Sequence, residues 1–388
     1  MNPNSSIDVD RQLDRQLRVL FVSHAYVTGV NQGKLKAIAA TQQAEVGLLV
    51  PKVWKAKGWQ KFLRLEAPYP DLKIYAAKIW FAGRVGAFIY APWTILQAIK
   101  EFRPDIIHVE QEVFSLSGFE LALITRLFDI PVAYFGWENM DRRLSFSRRW
   151  MRHFILNTAR LVITGNREGE NLVRQWGYRK TVAVMPQLGV DKTLFAPKQH
   201  DLHRKFVIGY LGRMLYQKGI DTLFAVAKYL SRENYLFKMI LCGSGLDHEA
   251  LKAQAKQQQV SNSIEWRDRV SHARVPEVMN EFDVLVLPSR TGETWKEQFG
   301  HVLIEAMCMN IPVIGSTCGE IPNVIGRDDL VFPEGDGLAL TQIIKKMIDE
   351  PEWCESIKKY GRDRVDQNFT HERIAERLIE LWRKVLAS

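Results

Sequence analysis

A chain of 388 residues is too long for one ordinary core, so two domains are expected. With 46% hydrophobic and 25% charged residues and no low-complexity tract or solenoid repeat, it is a globular chain and not a disordered or fibrous one. The net charge of +9 is uneven: residues 1–200 hold 28 Lys and Arg against 17 Asp and Glu, while the remainder holds 25 against 27, so the basic half suggests an anionic partner such as a membrane surface, a phosphorylated acceptor or nucleic acid.

The leader MNPNSSIDVDRQLDRQ (1–16) has no apolar core and is not read as a signal peptide. RVLFVSHAY (18–26) is a short apolar run ahead of a glycine-bearing loop and reads as a buried first strand. Runs at 45–50, 72–77, 105–110, 131–135, 161–164 and 181–185 repeat it, with helical stretches such as KLKAIAATQQ and FELALITRLF between them. Strands alternating with helices imply a parallel α/β sheet. The longest greasy stretch, 85–99, is about 15 residues with a proline inside, short of the roughly 20 that span a bilayer.

The alternation pauses in the turn-rich segment 186–205, which is the expected domain boundary, giving domains 1–199 and 200–388. It restarts with strands at 205–212, 236–243, 262–266, 282–288, 311–315 and 330–332 and a helix over 219–232. The fold class is therefore α/β, with two doubly wound Rossmann-like domains facing across a cleft and ligands beyond the strand carboxyl ends. Helices fill 338–386, where Ile374, Leu378, Leu381 and Val385 make an apolar stripe, and the last helix is a candidate to cross back to the first domain. The four cysteines lack metal-like spacing and read as buried thiols of a cytoplasmic protein.

Three strand-end loops carry groups suited to chemistry. In GYLGRMLYQKGID (209–221), Gly212 permits a tight turn and the cations Arg213 and Lys218 precede a helix, an anion site that suits diphosphate. In LCGSGLDHEAL (241–251), Gly243 and Gly245 allow a ligand close to the backbone. In VLPSRTGETWKEQFGHVLIEAM (286–307), a helix is expected to start near Phe299 and Gly300, with the amides of Gly300 and His301 open to phosphate. Glu297 lies ahead of that helix, and Glu305 lies within it, surrounded by Val302, Leu303, Ile304, Ala306 and Met307. A carboxylate in so apolar a helix needs a partner, either a protein Arg or His or a ligand diol.

GRMLYQKG, EQFGHVLIEAMCMNIPVIGSTCGEIP and PQLGVDKTLFAP together resemble the retaining glycosyltransferases of family GT4, the glycosyl transferases of group 1, with GT-B architecture. The pattern of Glu297, seven residues and Glu305, then Ala306-Met307, Pro312–Ile314, Gly319 and Glu320 is its densest part; the first half matches at RPDIIHVE and GVDKTLFAP. The resemblance implies that Arg213 and Lys218 neutralise the donor diphosphate and that Glu305 grips the ribose. Glu297 is implied near the donor sugar hydroxyls, orienting the ring, and Phe299 and Gly300 at the helix start. Gly33 is implied at the donor phosphate and Arg269–Val270 beside the base. The chain departs from the family where Gln32 precedes Gly33 in place of a second glycine, where Leu188 stands in the linker turn, and where FGWENMDRR (135–143) replaces a histidine. Glu138 and Asn139 are the acceptor-side candidates there.

These features imply a hexosyl transfer with retention from a UDP- or GDP-sugar to an acceptor hydroxyl, in polysaccharide, glycolipid or cell-envelope glycan synthesis. No Asp-x-Asp stands at a strand end, and with two cations present no divalent metal or other cofactor is expected. The acceptor is expected to be a glycan or lipid-linked. A cytoplasmic location is expected, peripheral to an anionic membrane surface if the basic aromatic stretches 51–65 and 142–154 dock there. Other readings are a sugar-nucleotide epimerase on the same fold and a non-catalytic partner subunit. Nucleic-acid binding lacks a motif and is not expected.

Overall fold

The computed structural model describes residues 15–56, 61–84, 86–197 and 205–387. They divide into two compact units, residues 1–189 with 371–388, and residues 190–370. The sheet of the first unit has strands β1 (Leu17–Val22), β2 (Ala44–Pro51), β3 (Lys73–Ala77), β4 (Ile106–Glu110), β5 (Val132–Gly136), β6 (Leu161–Thr164) and β7 (Thr181–Val184). Their order is β7-β6-β5-β4-β1-β2-β3, and all pairings are parallel. Every residue of β4 is buried, as expected for a strand covered on both faces.

The second unit repeats the plan with β8 (Phe206–Leu211), β9 (Phe237–Cys242), β10 (Ile264–Arg267), β11 (Val284–Leu287), β12 (Val313–Ser316) and β13 (Val331–Phe332). Their order is β10-β9-β8-β11-β12-β13, again all parallel. In each sheet the order reverses at the first strand, between β1 and β4 and between β8 and β11. Connections leave these two neighbours in opposite directions, and a crevice opens beyond their carboxyl ends. Lys218 and Glu297 follow β8 and β11, and Gly33 follows β1.

The expected boundary at 199/200 compares with an observed division between Gly189 and Val190. Helix His371–Leu386 groups with the first unit because its apolar stripe, Ile374, Leu378, Trp382 and Val385, joins that core against helix Gly33–Ala40. The indole of Trp382 donates to His108 Nδ1 at 3.2 Å.

Local structure differs from expectation in three places. The first strand stops at Val22; the Ser23 hydroxyl accepts from the Ala25 amide at 3.1 Å, and two short 3-10 turns follow. The basic aromatic stretch 51–65 holds an antiparallel hairpin of Val53–Ala56 with Lys61–Arg64. Its Trp54 turns inward onto His24 and Phe88, with ring centroids 4.4 and 5.0 Å away. Lys57 and Trp59 of that stretch, like residues 1–14, lie outside the described residues. The apolar run 85–99 is not one element: Ile89–Tyr90 pairs with Ile79–Trp80, and Pro92 opens a helix, Pro92–Phe102, where its missing amide hydrogen is harmless. Among the described residues no helix is long and apolar enough to cross a membrane. All four cysteines are free and buried.

Candidate functional site

The second unit brings its two richest loops together at the reversal of strand order. Lys218 leaves the loop after β8, Glu297 the loop after β11, and Lys218 Nζ lies 2.5 Å from Glu297 Oε2. Ser289 Oγ donates to the same carboxylate oxygen at 2.8 Å. The Trp295 ring sits over the ammonium with its centroid 4.6 Å away, a cation–π contact that shields one side of the charge. Behind Glu297, its amide donates to Cys318 Sγ at 3.5 Å, and its carbonyl accepts from Glu320 at 3.1 Å. Gly319 is required there: its φ is +57°, and a Cβ would lie 2.0 Å from the Glu297 carbonyl oxygen.

Arg213 is exposed, and the Tyr210 hydroxyl holds its carbonyl at 2.7 Å, fixing the turn at the end of β8. Gly243 closes β9 so tightly that a Cβ would lie 1.8 Å from the Gly212 carbonyl oxygen. Arg269 is exposed and Val270 half-buried in the segment after β10.

Helix His301–Cys308 starts after Gly300, whose φ of +85° selects glycine. Phe299 is buried against the His301 ring at 5.0 Å and Phe369 at 5.7 Å. Burial pushes the His301 imidazole below its ordinary pKa, with Glu305 and Glu297 opposing the shift. Glu305 has a protein partner, His272, whose Nε2 lies 3.3 Å from Glu305 Oε1. That hydrogen bond raises the His272 pKa. A carboxylate has two oxygens and about four acceptor positions, so this contact and a ribose diol are compatible.

The remaining candidates, Gly33, Glu138 and Asn139, belong to the first unit. Gly33 has an ordinary helical φ of −55°; it is small because a Cβ would approach His371 Nε2 to 2.9 Å. Gln32 also has a negative φ, so no second glycine is needed, and its amide donates to the carbonyls of Tyr26 and Glu66. Asn139 is buried, and Glu138 pairs with Arg142 at 2.7 Å. Glu138 also lines a small pocket with Glu112, Thr164 and Trp176. Burial, reinforced by Glu138, pushes the Glu112 carboxyl up to about 7 against the pull of the Trp137 amide. Trp137, in the segment 135–143 that departs from the family pattern, lies across Gly165 with its indole donating to Gln187 Oε1 at 2.9 Å.

The structure thus joins Lys218 to Glu297 and leaves Arg213, Arg269 and Val270 at neighbouring strand ends. Sequence reasoning missed Ser289, Trp295 and His272 around Glu297 and Glu305, and Glu112 near Glu138. Ser289 follows the strand-end Pro288 and was within reach of a careful reading; nothing in the spacing marks Trp295 or His272. Among the described residues no group of three or more His, Cys, Asp or Glu is arranged to hold a metal.

Residues 191–364 match the family described as glycosyl transferases group 1, and residues 15–187 match the glycosyl transferase 4-like domain. The capsular polysaccharide biosynthesis glycosyltransferase CapM of Staphylococcus aureus is 29% identical over 58% of this chain and 59% of its own length. The 2-deoxystreptamine N-acetyl-D-glucosaminyltransferase of Streptomyces fradiae is 24% identical over 80% of each chain. Among solved structures, sucrose-phosphate synthase from Thermosynechococcus elongatus aligns with a TM-score of 0.72 at 19% identity, over 96% of this chain and 100% of its own. HepE of Anabaena in complex with UDP aligns with a TM-score of 0.72 at 18% identity, over 95% and 100%. At such identities these two structures speak to the fold.

Proposed function

The chain belongs to the group 1 glycosyltransferases, a GT4-like member with the GT-B fold, and on that premise we propose that it transfers a sugar with retention from a nucleoside-diphosphate donor to an acceptor hydroxyl. The observation that carries the reading is the Lys218–Glu297 pair at the strand-order reversal of the second unit. An ammonium has three donors, and only one is engaged by Glu297, so the same group serves a diphosphate. As the sugar–phosphate bond breaks, negative charge grows on the leaving nucleoside diphosphate. Lys218, Arg213 and the amides at the start of helix His301–Cys308 supply fixed positive partners for it. Glu297 orients the donor sugar through its hydroxyls, and Glu305 accepts from the ribose. With these cations in place, catalysis needs no divalent metal.

UDP is the favoured nucleotide, because HepE of Anabaena was solved with UDP and with UDP-glucose. The acceptor is a glycan or a lipid-linked glycan of the cell envelope, in keeping with the capsular role in the name of CapM. Gly33 is assigned to the donor phosphate, and Glu138 and Asn139 to the acceptor side. The transferase names of these relatives weigh against an epimerase or a non-catalytic subunit.

A screen of UDP-, GDP- and ADP-sugars for binding and slow hydrolysis tests the proposal. Release of nucleoside diphosphate from one class, unchanged by EDTA, is expected. Activity lost to EDTA and restored by Mg²⁺ or Mn²⁺ would remove the metal-free mechanism. Interconversion of the sugar without release of nucleotide would replace transfer by epimerisation.

A further inference from the structure

The loop from β11 to helix His301–Cys308 is held at both ends. At its start the Arg290 amide donates to the Gln217 carbonyl at 2.9 Å, and the guanidinium pairs with Asp221 at 2.9 Å. Thr291 follows, its amide and its hydroxyl donating to the two carboxylate oxygens of Glu334 at 2.6 and 2.7 Å. At its end Glu297 is fixed by Lys218, Ser289 and Cys318. Between these anchors the chain turns back on itself, the Gly292 amide donating to the Trp295 carbonyl at 2.8 Å. Thr291, Glu293 and Thr294 are exposed; Trp295 is half-buried, and the turn lays its ring over the Lys218 ammonium.

The transfer chemistry assigned so far has no use for so large a ring. An aromatic face carries partial negative charge, which is why it attracts an ammonium and why it turns a phosphate away. The indole therefore borders the diphosphate site without being part of it. A pyranose is a different partner. The C–H bonds of one sugar face carry slight positive charge and lie flat against an aromatic ring as an apolar surface. In a nucleoside-diphosphate sugar, the sugar is bonded directly to the diphosphate assigned to Lys218. Its hydroxyls are assigned to Glu297, whose carboxylate oxygen is 2.5 Å from that ammonium. A sugar held by both groups lies within reach of an indole whose ring centroid is 4.6 Å from the same ammonium.

We propose that Trp295 is a specificity-determining residue for the donor: its indole receives the C–H face of a hexopyranose as Lys218 exchanges the ring for the diphosphate. The proposal deepens, and rests on, the reading of these two loops as the nucleotide-sugar site. The anchors at Arg290, Thr291 and Glu297 hold the ring in place before the donor arrives, so little ordering is left to be done on binding. The site then selects pyranoses with an unbroken C–H face over those that carry a charged or axial group on it.

The test measures calorimetric affinities of the full chain for UDP and for UDP-glucose, and reads their ratio in wild type, Trp295→Phe and Trp295→Leu. Should the donor screen select another base or sugar, that sugar nucleotide and its own diphosphate take their place. Trp295→Leu is expected to lower affinity for the sugar nucleotide relative to the diphosphate by roughly fivefold, the worth of one aromatic contact, without weakening the diphosphate itself. Trp295→Phe should keep most of the ratio. In protein labelled with 5-fluorotryptophan, the fluorine resonance that Trp295→Phe removes should shift further with UDP-glucose than with UDP. An unchanged ratio in Trp295→Leu overturns the proposal, as does an equal loss of both affinities, the mark of a damaged loop. Donor hydrolysis separates the two claims. Hydrolysis by the wild type with an unchanged ratio in the variant overturns the Trp295 assignment alone. A fallen ratio in a protein that binds the sugar nucleotide but neither hydrolyses nor transfers it upholds the assignment and overturns the transferase reading. A wild type that binds no sugar nucleotide overturns both.

Discussion

Both units place a lysine and a glutamate 2.5 Å apart where their strand order reverses, Lys34 with Glu110 in the first and Lys218 with Glu297 in the second. The surroundings differ. The Lys34 and Glu110 side chains are 2% and 0% exposed, and Glu110 also accepts from Tyr26 and Gln187. The Lys34 ammonium lies over the rings of Phe21 and Tyr26. Burial pushes the Glu110 carboxyl up, but Lys34 and His108 more than offset it and leave it below its ordinary pKa. The second pair is 11% exposed on both sides and borders a loop. One topology makes a crevice in each unit, and what closes it decides its use. Side chains of the first unit fill theirs; the second keeps its charges nearer to solvent.

The largest expected effect comes from breaking the sealed pair. Lys34→Met leaves Glu110 buried without its counter-charge and should destabilise the protein by about 3–5 kcal/mol in denaturant unfolding. Neutralising both, as Lys34→Met with Glu110→Leu, should recover most of that. A Lys34→Met protein as stable as the wild type would dissolve the contrast between the pairs. Lys218→Ala is expected to do the converse, lowering transfer at least about tenfold, or roughly 1.4 kcal/mol, with a smaller stability change than Lys34→Met.

A finer division concerns the two carboxylates of the second unit. Glu305→Gln should weaken binding of the free nucleoside diphosphate by roughly fivefold, about 1 kcal/mol, in calorimetry. Glu297→Gln should leave that affinity nearly intact and reduce turnover; equal losses in both variants would refute separate ribose and sugar roles. The smallest effect is a pH dependence. The hydrogen bond from His272 to Glu305 raises the histidine pKa above 6.5, so its contribution to stability is fully present below pH 6.5 and lost as pH rises through the raised value. The melting temperature of wild type relative to Glu305→Gln should therefore be highest in acid and shrink on the alkaline side. A difference constant with pH would remove the His272 contact from the account.

Strands such as Ile106–Glu110 and Val284–Leu287 were legible because a strand covered on both faces must be a short apolar run. Glu305 was legible because a carboxylate in so apolar a helix needs a partner. Lys34 was not: in KLKAIAA it looks like a surface lysine, and only the adjacency of β1 and β4 turns it inward. His272 escaped for a similar reason, since it reaches Glu305 across 33 positions of chain. The two antiparallel strand pairs of the first unit were hidden because neither connection carries the Asn-Gly or Asp-Gly turn that announces a hairpin.

The placement of helix His371–Leu386 in the first unit sets an order of assembly during synthesis. Residues 190–370 leave the ribosome as a contiguous block, and that block closes on itself: Val190 bridges Thr370 and donates to the Phe369 carbonyl at 2.9 Å. The first unit begins to emerge earlier yet waits longest, since Trp382 and its neighbours are translated after the whole of the second. Until they arrive, helix Gly33–Ala40 and His108 lack their cover. The later-translated unit is thus the first that has all of its parts, and the amino-terminal unit spends the time of about 180 added residues, roughly 9–36 s at ordinary rates of synthesis, with an open core.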